Sequence, residues 1–382
     1  MEMTELKLHL MQRGAVFTKN AKGAMNKSRF GRINFNDYAT TGGIVVALND
    51  KVFINVPVKI NGTPFSVDFE NGSFCLLCNE SIIPLNIRII SAPRYALENT
   101  LLSDGTPVRE LVMTHADRVR ISPVHGCSFH CSFCTSNADY YKEISIDQLN
   151  DAFQIALNDP YNKPRHVLIS GGTLQEEGKS YQWLNNVYHY FPNHYSNYEF
   201  DVMLSPRGIM PSKNTRQDGR DFLHFLRDEC GIDTMSINLE LSNEVYRRRF
   251  IPDKAEIGMN RYLSFIEDAV SIIGEKKIRS SLVVGLEPID DTLEGVRKLV
   301  ACGCLPVLST FVPAPGTDMA NYPSPEVPYL LDLVKKAEAI VKERGTVLGP
   351  LCRPCTHNSI SVEEGSVEAN VLCELPLNFT PK

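Results

Sequence analysis

The chain has 382 residues, 43% of them hydrophobic and 22% charged, the balance of a globular protein that buries a sizeable core. Extended disorder is not expected, and the length allows one or two domains. A net charge of −6 disfavours a broad basic face, so nucleic acid is an unexpected partner. The N-terminus carries no signal-peptide pattern and no window of about 18 apolar residues occurs, so a cytoplasmic protein with no membrane contact is expected.

The first 115 residues form one unit in this reading, a small β-rich N-terminal domain. Apolar, β-prone runs at 42–56 and 59–77 surround Asn-Asp and Asn-Gly pairs, which read as hairpin turns. From residue 116 to 320 short β-rich runs alternate with helical patterns, the signature of strand-helix units on a parallel sheet. Six strands are predicted, at 119–124, 166–170, 198–204, 234–241, 278–284 and 306–312. Ser145 and Gln148 make a capping box, followed by an apolar stripe of Leu149, Ala152, Phe153, Ala156 and Leu157. Further helices are predicted at 220–230, at 261–273 before Gly274, and around Leu293, Val296 and Val300 before Gly303. A last helix at 327–344 opens a C-terminal extension covering 321–382. The fold class expected is α/β, a partial (β/α)6 barrel whose site lies at the strand C-termini.

Eleven cysteines, an odd number, argue against a secreted disulfide framework and direct attention to those that cluster. Cys230, Cys302, Cys304 and Cys373 stand apart and read as buried small hydrophobes. Gly126 to Cys134 reads G-C-S-F-H-C-S-F-C, placing Cys127, Cys131 and Cys134 in one loop at the end of the first predicted strand. A zinc knuckle wants two pairs of ligands and a ferredoxin wants four cysteines; neither fits. Three thiolates can ligate three irons of a cubane cluster and leave the fourth open to a chelating amino acid.

C-x3-C-x2-C, with the aromatic Phe133 just before the third cysteine, resembles the radical S-adenosylmethionine superfamily. The resemblance implies a 4Fe-4S cluster on Cys127, Cys131 and Cys134, S-adenosylmethionine as cofactor, and an external electron donor such as flavodoxin or ferredoxin. It implies that Ser170, Gly171, Gly172 and Thr173 hold the methionyl amino group, with Thr173 where an acidic residue is usual. Asn238 and Glu240 are similar to the ribose-binding segment of biotin synthase and its relatives, and a diol suits an amide beside a carboxylate. Val284, Gly285 and Leu286 resemble the adenine-packing segment, and Phe311 to Thr317 the close of the sixth strand. Lys254 and Arg261 both remain open as partners for the methionyl carboxylate.

The resemblance leaves the substrate open. His125, His130, Asn137, Tyr140, Arg207, Arg279 and His357 are candidates to face a small polar or anionic molecule. Hydrogen abstraction from such a metabolite is the leading function; sulfur insertion, peptide modification and a non-catalytic iron-sulfur or zinc protein are the alternatives. Cys352 and Cys355, with His357 close behind, have metal-ligand spacing suited to a second cluster or zinc, and Cys75 with Cys78 offers a matching pair.

Overall fold

The computed structural model describes residues 1–25, 43–90, 92–137, 140–174, 179–206 and 215–361. Six strands stand side by side in chain order, every neighbouring pair parallel: β1 (Arg118–Ile121), β2 (His166–Ile169), β3 (Glu199–Leu204), β4 (Thr234–Ile237), β5 (Ile278–Val284) and β6 (Leu305–Thr310). This is the expected partial barrel. A seventh strand, Val112–His115, adds antiparallel to β1 at the edge.

The intervening helices are α1 (Ile146–Leu157), α2 (Lys179–His194), α3 (Arg216–His224), α4 (Met259–Ile273), α5 (Ile289–Ala301) and α6 (Val327–Glu343). The Ser145 hydroxyl accepts the Gln148 N–H at 3.2 Å to start α1, and Leu149, Ala152, Phe153 and Ala156 form its buried stripe. The predicted helix at 220–230 starts earlier, at a Thr215–Asp218 capping box, and ends in a π-helical turn over Phe225–Glu229. Helix α2 gave little local signal, being rich in polar and aromatic residues and carrying Pro192 inside it.

Two predicted strands end well short of their predicted C-termini. The first stops at Ile121, and Val124–His125 turns to pair antiparallel with Lys142–Glu143. The fourth stops at Ile237 because Glu240 takes a left-handed backbone (φ 67°), which breaks the ladder and leaves a lone bridge to Leu282. Both breaks lie at strand C-termini, where they turn chain into the mouth of the barrel.

The N-terminal region forms its own seven-stranded sheet. Its predicted hairpins are Gly43–Leu48 with Val52–Lys59, and Phe65–Glu70 with Ser73–Cys78. Asn49 and Asp50 turn the first and Asn71 and Gly72 the second, all at positive φ, the conformation that matches hairpin twist. The short strand Ala15–Phe17 enters between the hairpins, parallel to both its neighbours. One apolar core runs from Leu6 in the helix Met3–Arg13 through the barrel to Ile360.

The C-terminal segment closes the open side of the barrel. Gly349 N–H donates to Pro306 O and Ile360 N–H to Leu308 O, so this segment lies along β6. At the other edge the ring of His357 stacks on His115, centroids 5.8 Å apart. Lys7, fully buried, ties the N-terminal helix to the same segment by donating to the carbonyls of Thr356 (2.9 Å) and Ser361 (2.6 Å). Among the described residues no helix is long and apolar enough to cross a membrane.

Candidate active site

The loop from Cys127 to Cys134 hangs over the C-terminal ends of β1 and β2 and is held on both sides. Ser132 N–H donates to Phe250 O at 2.8 Å and His130 N–H to the Asp253 carboxylate at 2.6 Å. Opposite, Ser128 N–H donates to Thr173 O, and Thr173 N–H points at the Cys127 sulfur from 3.2 Å. The Phe129 N–H reaches the same sulfur at 3.4 Å.

Below the loop lies an apolar floor of Phe129, Leu241, Phe250, Ile251, Phe311 and Met319, with Cys131 embedded in it and Phe133 packed against it. Burial pushes the Cys131 thiol up to about 12 and raises Cys134 as well. Such thiols ionise when bound to a cation, and a dry floor is what keeps water from a reduced centre.

A cavity of about 260 Å³ opens above this floor. Cys127, Cys131, Cys134, Phe133, Ser170, Gly171, Gly172, Thr173, Asn238, Glu240 and Lys254 all line it, so most of the predicted site converges. The Gly-Gly turn is obligatory: a Cβ on Gly172 would sit 1.6 Å from Gly126 O, and one on Gly171 would sit 2.8 Å from Val124 O. Glu240 and Lys254 pair at 2.8 Å, both mostly buried. Burial alone would depress Lys254, but the Glu240 carboxylate outweighs it and holds the ammonium above its usual value. Asn238 is fixed by its own contacts, its Oδ1 accepting from Ser281 N–H and from the Ser236 hydroxyl.

Other predicted residues fall elsewhere. Val284, Gly285 and Leu286 lie outside the cavity lining, although Leu286 shares the apolar floor with Cys131. Arg261 lines neither of the two barrel cavities. His130 is exposed beside Asp253, and His125 packs on Tyr140, rings 4.5 Å apart. Asn137 lies in the short helix Thr135–Asn137. Arg207 lies outside the described residues.

Sequence reading missed Arg247, the first of three consecutive arginines. It is fully buried and donates to the carbonyls of Leu239 (2.8 Å), Leu241 (2.9 Å) and Lys254 (3.0 Å). It therefore braces the backbone on either side of Glu240 and at Lys254. Glu287 does similar work from the turn after β5, accepting Ser242 N–H at 3.0 Å and Asn243 N–H at 2.9 Å.

A second cavity, about 710 Å³, fills the barrel lumen and runs to the N-terminal ends of the strands. Met203 and Asn238 line both cavities, so they form a shared wall. The lumen is polar, with Asp201 paired to Arg279 inside it and Ser236, Ser281 and Ser309 around them. At its lower end Cys352 and Cys355 meet His166, the first residue of β2.

Two expectations for an auxiliary centre change. His357 turns away, its Nδ1 against Pro354 O at 2.6 Å, and His166 takes the place beside the thiols. Cys75 and Cys78 lie three residues apart on one strand, so their side chains leave opposite faces and cannot chelate one ion.

The residues of the upper cavity fit a 4Fe-4S cluster with S-adenosylmethionine. Three thiols face one dry pocket, amides reach the Cys127 sulfur, and the glycine turn leaves room for a ligand against backbone. Their sulfurs do not converge within 4.8 Å, as ligands of a single ion do and those of a polynuclear cluster need not.

No family model matches the sequence. A stretch of 126 residues is 29% identical to the bacteriochlorophyllide c C-7(1)-hydroxylase of Chlorobaculum limnaeum, covering 32% of this chain and 31% of that one. Among solved structures, methylornithine synthase aligns over 63% of this chain and 68% of its own at 10% identity, TM-score 0.47. A radical SAM methyltransferase from Sphaerobacter thermophilus aligns over 76% of each chain at 14% identity, TM-score 0.45. The three-cysteine loop thus stands beyond the first strand of a six-stranded parallel sheet, above an apolar floor and against a Gly-Gly turn, in a chain that spans 31% of the hydroxylase it matches.

Proposed function

We propose that the chain takes a hydrogen atom from a small polar metabolite held in the barrel lumen, using the 5′-deoxyadenosyl radical made from S-adenosylmethionine in the upper cavity. The observation that carries this reading is the shared wall: Met203 and Asn238 belong to both cavities, so a molecule in the lumen lies next to one above it. When bound, the cluster supplies the electron that splits the sulfonium.

The chain's residues bind and shield. Cys127, Cys131 and Cys134 ligate the cluster, leaving one iron for the methionyl amino and carboxylate groups. The Ser170–Thr173 turn offers backbone carbonyls to the amino group, and Lys254 offers its charge to the carboxylate. Asn238 and Glu240 bond the ribose hydroxyls, and of Val284, Gly285 and Leu286 it is Leu286, in the apolar floor with Cys131, that approaches the adenine in this reading. In the lumen the Asp201–Arg279 pair provides both signs of charge to a polar ligand. Residues 116–320 supply the barrel, residues 1–115 a small β-rich N-terminal domain and residues 321–382 a C-terminal extension in this reading. The electron comes from a partner such as flavodoxin or ferredoxin, and the setting is cytoplasmic.

The test is anaerobic reconstitution with iron and sulfide, reduction by dithionite, and mass spectrometry of 5′-deoxyadenosine beside a Cys131→Ala control. Deoxyadenosine from the wild type alone, accelerated by a polar metabolite that acquires or loses isotope label, is expected. An intact, reducible cluster that yields none with any metabolite would defeat the reading.

A further inference from the structure

At the opposite end of the barrel from the three-cysteine loop, three soft ligands converge from two distant parts of the chain. His166 opens β2, while Cys352 and Cys355 lie on the C-terminal segment that crosses from β6. The Cys355 N–H donates to Cys352 O at 3.1 Å, and this tight turn brings both sulfurs to one side. Each lies close to the same nitrogen: His166 Nε2 is 3.5 Å from the Cys352 sulfur and 3.7 Å from that of Cys355.

These separations suit donors that share one ion. A tetrahedral zinc ion with bonds of about 2.3 Å to sulfur and about 2.0 Å to nitrogen holds such donors about 3.6 Å apart. The two observed distances straddle that value, and all three ligand atoms fall within 4.8 Å of one another, the one such group of His, Cys, Asp or Glu among the described residues.

A neighbouring anion completes the setting. Asp117 is fully buried, its carboxylate 3.7 Å from His166 Nε2 and 3.4 Å from Arg165 Nε. Its negative charge lies beside the same nitrogen that faces the two sulfurs, which favours a cation among the three donors.

We infer that His166, Cys352 and Cys355 bind one zinc-type ion at the floor of the lumen, with a fourth coordination position left to water or to a donor group of the lumen's ligand. All three residues line the large cavity, so that position opens onto it. Three protein ligands and an open place are the arrangement of a zinc site that binds an exchangeable group. The ion also pins the C-terminal segment to β2, closing the barrel base. The inference stands apart from the chemistry of the upper cavity.

The experiment is cobalt(II) titration of the full-length, chelator-treated protein under anaerobic conditions, read by absorption, with zinc competition. The wild type is expected to bind one cobalt per chain with tetrahedral ligand-field bands and thiolate charge-transfer absorption, both abolished by zinc. His166→Ala and the double variant Cys352→Ser/Cys355→Ser should lose affinity by at least about tenfold. His166→Cys should keep it, which guards against loss through misfolding, and Cys131→Ala should leave it unchanged. Cobalt bands that survive in the double variant and vanish in Cys131→Ala would overturn the site. So would absence of tetrahedral bands in the wild type, or iron beyond one cubane per chain that disappears with Cys352 and Cys355.

Discussion

The backbone N–H of Thr173 lies 3.2 Å from the sulfur of Cys127, so the turn after β2 is hydrogen-bonded to the loop after β1. The parallel register of the two strands, Ile121 opposite Ile169, brings their C-terminal turns to the same height. An amide donor to a cluster thiolate draws off charge and tunes the potential of the centre.

That contact depends on Gly172. Substitution Gly172→Ala would put a methyl group 1.6 Å from Gly126 O, and the turn has to move away from the loop. Thr173→Val keeps the N–H and serves as the control. Iron content and cluster absorbance after reconstitution should fall in Gly172→Ala, with cluster affinity lower by about 10–100-fold, the cost of losing an outer-shell contact. Normal loading with an unshifted reduction potential would show that the turn plays no part in holding the centre.

What sequence revealed was what local pattern encodes. The C-x3-C-x2-C loop, the Gly-Gly turn and the six apolar strands each announce themselves within a dozen residues, and the structure joins them at one cavity. The Asn-Asp and Asn-Gly turns were equally legible, because positive φ at both positions favours those residues. What stayed hidden depends on distant chain. His166 read only as the start of a strand, and its closeness to Cys352 follows from the C-terminal segment crossing the barrel base. Nothing in the local pattern marks Arg247 or Lys7 for burial, yet each is fully buried against carbonyls supplied by irregular backbone. Glu240 ended a predicted strand early because its left-handed backbone has no signature outside glycine and asparagine.

Arg247→Met tests the brace around Glu240. It strips a buried donor from three carbonyls and removes the guanidinium lying 5.4 Å over the Tyr262 ring. Loss of stability of about 3–5 kcal/mol is expected by denaturant titration, the range for breaking a buried charged network. Arg247→Lys should recover little, since one ammonium cannot span carbonyls reached by a planar fork. S-adenosylmethionine should also bind more weakly, because Glu240 and Lys254 lose their common support. A loss below about 1 kcal/mol would place Arg247 among exposed side chains after all.

The lumen pair of Asp201 and Arg279 invites a double-mutant cycle. Their side chains are 5% and 17% exposed, so truncating either one leaves a poorly solvated charge in the barrel. Asp201→Asn and Arg279→Gln should each destabilise, while the double variant should lose less than the sum, with a coupling of about 1–3 kcal/mol in the protein's favour. Additive losses would mean that solvent in the cavity screens the pair, and that neither charge relies on the other.

Lys7 predicts a pH dependence with a definite sign. Burial lowers its ammonium to about 7, and the two carbonyls it meets, Thr356 O and Ser361 O, match the two N–H groups of a neutral amine. In the unfolded chain the same group titrates near its free value of about 10.4. Between those limits the unfolded state carries a proton that the folded state lacks, so unfolding free energy rises with pH. The stabilisation is complete above the unfolded value and is lost as pH falls towards the folded one. The slope from this single group reaches at most about 1.4 kcal/mol per pH unit. Subtracting the pH profile of Lys7→Met from that of the wild type isolates it from the cysteines and tyrosines that titrate in the same window. A difference that climbs between about pH 7 and about pH 10 and is flat below is expected. A level difference throughout would mean that the two carbonyls hold the ammonium charged inside the protein.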